Sequence, residues 1–190
     1  MKTISKKLTA WCCAHYAMSE EDCHIVEYGM ESMLNSSVKI LIILCVGMLF
    51  GHLPEVFTAM FVFGVIRKFA GGYHSHSHLG CLGAMLLIDF CPMLFMHLDG
   101  AWVRPFWAIL AIYTLYEIIR YAPRNSLVNP IYDERLLLRN RVGSIVTTCA
   151  AILFVMVSPS VKWGWIVMLA SFAEAVTISP LVFESTKKSE

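Results

Sequence analysis

Two side chains of this sequence could share a catalytic task. His74 and Cys81 stand seven residues apart in Arg67-Lys68-Phe69-Ala70-Gly71-Gly72-Tyr73-His74-Ser75-His76-Ser77-His78-Leu79-Gly80-Cys81. An imidazole that accepts a thiol proton leaves a sulfur able to attack a carbonyl carbon. The spacing imposes a geometric condition. On one continuous helix the two residues would share a face but sit about 10.5 Å apart along the axis. Proton transfer needs about 3 Å, so the pair works only if the helix breaks between them. Gly71, Gly72 and Gly80 permit bends at both ends of the histidine segment. The expected arrangement is a loop carrying His74 back over Cys81, with Cys81 opening the next helix. Free N–H groups at a helix start favour a thiolate. They can also polarise a scissile carbonyl.

The same residues have two other readings. One is a glycine-rich turn whose polar side chains meet water at an interface. The other is zinc binding, because His74, His76 and His78 alternate and Cys81 follows three residues on. That short spacing suits a loop site poorly, and no carboxylate lies close by in the sequence. No metal and no cofactor are expected.

The elements that must position the pair are membrane helices. Hydrophobic residues make up 57% of the 190, and charged residues only 15%. Soluble domains average about 25% charged. Mean hydropathy is +0.63. Apolar runs cover about 38–51, 53–66, 79–98, 101–121, 142–157 and 163–183. A span needs about 20 residues, which the third, fourth and sixth supply. The first two are short and the fifth is borderline. The expectation is an all-α polytopic membrane protein with about six spans, or four if the first two runs form a hairpin. It is organised as one domain over 1–190: cytoplasmic or interfacial helices over 1–34, spans over 38–183, and a basic cytoplasmic loop over 121–141.

Basic residues orient such a chain, since lysine and arginine collect on the cytoplasmic side. With both termini inside, only Arg104 and Lys162 of the 15 fall outside. The histidine segment then lies at the cytoplasmic boundary. This one-sided belt needs no nucleic-acid partner. Met1–Leu8 is basic but lacks a clean apolar stretch and cleavage site, so no cleaved signal peptide is read. In the first 34 residues Ile4, Leu8, Trp11, Cys12 and His15 follow helical spacing opposite Lys6 and Lys7. That helix either lies in the membrane interface or packs on the ends of the spans. Ser19-Glu20-Glu21-Asp22 reads as a cap and first turn of a second helix carrying Ile25, Val26, Tyr28 and Met33. Pro123 and Pro130 break the 121–141 connection, after which 131–139 reads as a short amphipathic helix.

The seven cysteines are an odd number in a membrane and cytoplasmic setting, so no disulfide is expected. All but Cys81 read as small apolar fillers. Three acids fall in or near apolar runs: Asp89, Glu117 and Glu174. A charge at the bilayer centre costs about 2.5–3.5 kcal/mol. Asp89 is the deepest and follows Cys81 by about two turns, so it can share its face. Pairing with another helix is the alternative role. Glu117, three residues before Arg120, could be merely interfacial.

The run from Arg67 through Gly71-Gly72 and His74 to Cys81 resembles the signature of the accessory gene regulator B family. These are bacterial membrane-embedded cysteine endopeptidases that process quorum-sensing propeptides. A second block is similar as well: Tyr121-Ala122-Pro123, Asn129-Pro130-Ile131, then Arg135, Arg139 and Arg141. The likeness extends over nearly the whole chain. It implies Cys81 as nucleophile and His74 as its base, with supporting or substrate-binding roles for Arg67, Gly71, Gly72 and Asn129. It implies a short propeptide with an amphipathic leader and an acidic tail, cut at the junction of core and tail through an acyl-enzyme. Attack by a side chain of the core would close a thiolactone or lactone. A homodimer in the bacterial cell membrane is also implied, multi-pass, with its active site on the cytoplasmic side. Asp89 stands as a supporting candidate, and Arg135, Arg139 and Arg141 as a grip for the tail. Readings from other classes are a small transporter using Asp89, Glu117 and Glu174, or a zinc-dependent membrane hydrolase.

Overall fold

The computed structural model describes residues 2–16, 19–72, 78–124 and 134–180. Seven helices account for nearly all of them: α1 Lys2–Tyr16, α2 Glu20–Leu49, α3 Leu53–Ala70, α4 His78–Phe95, α5 Val103–Tyr121, α6 Glu134–Val157 and α7 Val161–Ile178. Among the described residues there is no strand, only a single parallel bridge between Gly71 and Arg124. The all-α expectation is met. In lipid a helix satisfies its backbone polar groups internally, which is why apolar runs of this length fold so. The chain divides into two compact units, residues 1–51 and 52–190.

The first unit pairs α1 with α2. Ser19 caps α2 as expected, its hydroxyl accepting from the Asp22 N–H at 3.2 Å. Two expectations are corrected here. The boundary between an interfacial region and a first span, placed at 34–38, falls inside α2, which is continuous. Nothing between Glu20 and Leu49 breaks a helix: there is no proline, and Gly29 and Gly47 cost only about 1 kcal/mol each. The second correction concerns the cysteines, because Cys13 of α1 and Cys23 of α2 form a disulfide with Cα atoms 5.9 Å apart. Packing α1 on α2 brings together two residues that look unrelated in sequence. On α1 Ser5 and Thr9 are buried, while Leu8 and Trp11 of the apolar stripe are exposed. Trp11 stacks on His15 with ring centroids 5.0 Å apart.

In the second unit α7 is the central helix, packed against α3, α4, α5 and α6. One core cluster joins α5, α6 and α7 through Val103, Trp107, Ala111, Val155, Trp165, Val167 and Met168. A second joins α3 to α7 through Ala59, Phe63, Ile166 and Ala170. The third lies where α3, α5 and α7 end together: Ile66, Ala70, Ile118, Ala122 and Ile178. It forms the apolar floor of the site described below. At the opposite end Lys162 pairs with Glu55, and Trp165 Nε1 donates to the Leu98 carbonyl at 2.9 Å. Adjacent helices therefore alternate in direction, with the ends of α3 and α5 and the starts of α4 and α6 at one end. Arg67, Lys68, Arg120, Arg124, Arg135, Arg139 and Arg141 sit at that end, Arg104 and Lys162 at the other.

Helix α2 from Asp22, α6 and α7 are long and apolar enough to cross a bilayer, and 79–95 forms a shorter apolar helix. The protein is thus a helical membrane protein. Helix α6 departs from expectation at its start. It runs unbroken from Glu134, so the short amphipathic helix and the borderline span are one element. No proline follows Pro130 until Pro159, and leucines and arginines are good helix formers. The basic loop is correspondingly shorter than 121–141.

Close packing leaves Gly164 no room for even a methyl group. A Cβ on Gly164 of α7 would fall on the Trp107 indole, itself fully buried. Gly164→Ala should cost about 1–3 kcal/mol by overpacking. Thermal unfolding of the detergent-solubilised protein reads this as a lower midpoint.

Candidate functional site

The site begins at the end of α3. Its last turn is closed by the Gly71 N–H donating to the Arg67 carbonyl at 2.9 Å. Gly71 and Gly72 then take φ of 72° and 131°, conformations that side chains with a Cβ disfavour. Both are also crowded. A Cβ on Gly71 would meet the Arg124 carbonyl oxygen at 2.5 Å. On Gly72 it would meet Arg67 Nη1 at 3.0 Å and Thr177 Oγ1 at 3.1 Å. The glycine pair is required by conformation and by space together.

Arg124 fastens this turn to its neighbours. Its N–H donates to the Ala70 carbonyl at 2.8 Å, and its guanidinium donates to the Ile178 carbonyl at 2.8 Å. It also lies over the Tyr121 ring, 5.7 Å from the centroid. One residue thus satisfies carbonyls at the ends of two helices, α3 and α7, which helix geometry leaves without intrahelical partners.

Arg67 turns inward from the last turn of α3. Its Nη1 lies 3.3 Å from Glu174 Oε2 and donates to Thr177 Oγ1 at 3.2 Å. The Thr177 hydroxyl lies 3.1 Å from the same Glu174 oxygen, and the guanidinium stands 5.5 Å from the Phe63 ring centroid. Glu174 has no solvent exposure. Its charge is offset by a cation and a hydroxyl, as a buried charge requires.

Cys81 is the fourth residue of α4, in its first turn, as a free and half-buried thiol. The expectation that it opens the helix after the glycine turn agrees with this position. Asp89 lies deeper in α4 at 2% exposure, and its Oδ1 has no hydrogen-bond partner among the described residues. Eight residues of helix separate it from Cys81 by about 12 Å along the axis, so it does not reach the thiol. Arg135, Arg139 and Arg141 are exposed on the first turns of α6. The close approach of Gly143 to the Phe69 ring places this stretch beside the end of α3.

His74 and His76, the side chain of His78, and Asn129 lie outside the described residues, so the expected dyad and the zinc alternative are not positioned by the structure. Of the residues singled out in sequence, Arg67, Gly71 and Gly72 come together, and Cys81 follows on the next helix. Sequence reasoning missed Arg124 and Thr177, and it named Glu174 without its partner. Glu174 carried a signal, as an acid inside an apolar run. Its pairing with a residue 107 positions earlier carried none.

The model of the family described as accessory gene regulator B matches residues 2–178. A curated accessory gene regulator protein B of Staphylococcus lugdunensis is 24% identical over 189 residues, 96% of this chain and 97% of that one. A putative AgrB-like protein 2 of Clostridium perfringens is 22% identical over 151 residues, 76% of this chain and 71% of the relative. A putative AgrB-like protein of Listeria monocytogenes serovar 1/2a is 23% identical over 176 residues, 89% and 82% of the two chains. No solved structure matches the chain. The helical membrane fold, the glycine turn with its arginine, and a family match over nearly the full length agree: the chain belongs to the accessory gene regulator B family, and so to the machinery that processes quorum-sensing peptides.

Proposed function

We propose that this protein is a membrane-embedded cysteine endopeptidase that removes the C-terminal tail of a short propeptide and supports cyclisation of the core. The observation that carries this reading is the free thiol of Cys81 in the first turn of α4, one connection beyond the Gly71-Gly72 turn. Amide N–H groups at a helix start favour negative charge, both on a thiolate and on the oxyanion of a tetrahedral intermediate.

In the proposed sequence His74 takes the Cys81 proton, and the sulfur adds to the carbonyl at the core–tail junction. The intermediate collapses with loss of the tail amine, which receives the proton from His74. A thioester then joins the core to Cys81. A side-chain thiol or hydroxyl of the core attacks that thioester, closes a thiolactone or lactone, and returns the thiol to Cys81. No cofactor enters. The site would face the cytoplasm of a multi-pass protein, on the side of the basic belt, and the enzyme would act as a homodimer on a bilayer-bound substrate.

Helix α6 fits the acidic tail. Arg135 and Arg139 stand at i,i+4, Arg141 follows, and all three are exposed at the end of the bundle that carries the glycine turn. Charge reversal at the three together should raise KM for the propeptide about tenfold or more and lower kcat little, as expected for binding shared by ground and transition states. Cleavage of a fluorescent propeptide in liposomes, with a neutral-tailed peptide as control, reads the difference. Unchanged KM would remove α6 from substrate recognition.

Intact mass spectrometry of the reconstituted protein tests the function itself. Incubation with a candidate propeptide should add the mass of the tail-less peptide, and hydroxylamine should release it. Cleavage that survives loss of the Cys81 thiol would overturn the mechanism and favour the zinc reading.

A further inference from the structure

Helix α1 is held to α2 by little besides one covalent bond. Among the described residues of α1 the buried ones are Ser5 and Thr9, at 1% and 6% exposure, and neither hydroxyl has a hydrogen-bond partner among the described residues. No described apolar side chain of α1 is buried with them. Burial of an unpaired hydroxyl opposes association rather than driving it. The helix is also short, at 15 residues, and isolated helices below about 12–15 residues are marginal in water. The Cys13–Cys23 disulfide supplies the missing attachment.

That bond is open to reagents. Both cysteines are half-buried. Both line a cleft between α1 and α2, together with Lys6, Thr9, His24 and Glu27. Its volume of about 350 Å³ falls within the range of about 300–1,000 Å³ that small-molecule sites occupy. Lys6 puts a cation in the same cleft, and positive charge near a departing sulfur stabilises it as a thiolate. Glu27 offsets part of that field.

We propose that Cys13 and Cys23 form a reversible redox site: a small thiol reductant enters the cleft, opens the disulfide, and so releases α1 from α2. The reductant's thiolate attacks one cysteine sulfur. The protein S–S bond breaks, leaving a mixed disulfide and one protein thiolate, which takes up a proton. A second reductant thiolate attacks the reductant's own sulfur in the mixed disulfide and displaces the other protein thiolate, which is protonated in turn. Two electrons and two protons pass to the protein, and the reductant leaves as its disulfide. Reoxidation by a small disulfide runs the same steps backwards. With the bond gone, the two buried hydroxyls can regain water, and nothing apolar among the described residues of α1 resists the separation.

The test uses the full chain in detergent, with dithiothreitol as reductant and oxidised glutathione as oxidant. Peptide mapping without reductant should find Cys13 linked to Cys23. Dithiothreitol should make both available to alkylation while helices α3 to α7 keep their amide protection. Hydrogen exchange across α1 should rise about tenfold or more on reduction and return after oxidised glutathione. Cys13→Ser should show the fast α1 exchange under both conditions. Cys12→Ser should behave as the wild type, which separates the bonded cysteine from its free neighbour. Alkylation of Cys13 and Cys23 in the unreduced protein would overturn the proposal. So would a bond reduced only when the whole chain unfolds, or α1 exchange that stays unchanged once the bond is open.

Discussion

Cys81→Ala should lower propeptide cleavage about 10^4-fold or more and abolish the acyl-enzyme, while leaving the fold intact. The magnitude follows from the role, because removing a covalent nucleophile eliminates the pathway rather than weakening one interaction. In proteases studied this way the loss is on that order. The stability half follows from position. Cys81 is half-buried in a first helical turn and belongs to none of the three core clusters, and alanine is the better helix former. Quantitative mass spectrometry of released tail, run beside a thermal unfolding scan, measures both. An unfolded Cys81→Ala protein would mean that the thiol is structural. A folded and active one would mean that another group attacks.

Gly71→Ala should be the more damaging change to the structure, at about 2–5 kcal/mol. A φ of 72° costs a residue with a Cβ about 1–2 kcal/mol. The new methyl would also stand 2.5 Å from the Arg124 carbonyl oxygen. That atom cannot swing aside as a flexible side chain could, because Arg124 is tied to Ala70 and to Ile178 at 2.8 Å each. Overpacking of this kind adds about 1–3 kcal/mol. The turn and the end of α5 would have to separate, so cleavage should fall as well. Denaturant unfolding in a lipid-like detergent reads the first effect and the propeptide assay the second. Gly29 is a control, since a Cβ there meets nothing within 4 Å, and Gly29→Ala should stabilise α2 slightly.

The helices were legible because apolar runs at membrane length leave the backbone one way to satisfy itself. Helix ends were less so: α2 and α6 each absorbed a segment read as separate, since no glycine or proline marks a boundary at 34–38 or within 134–142. The Cys13–Cys23 disulfide was misread because cysteine count and compartment say nothing about which helices pack.

What the sequence by itself determined is local chemistry: the all-helical membrane class, the glycine pair that must turn, and a thiol placed to open a helix. Each depends on residues within a few positions of one another, where periodicity, conformational freedom and charge are set by neighbours along the chain. What only the tertiary structure decided is the support of the turn. Arg67 meets Glu174 across 107 positions, Arg124 reaches both Ala70 and Ile178, and Gly72 lies against Thr177. The physical reason is that a buried charge accepts any partner of the right sign that packing delivers. Which partner arrives depends on how α3, α5 and α7 converge, and no spacing in the sequence encodes that meeting.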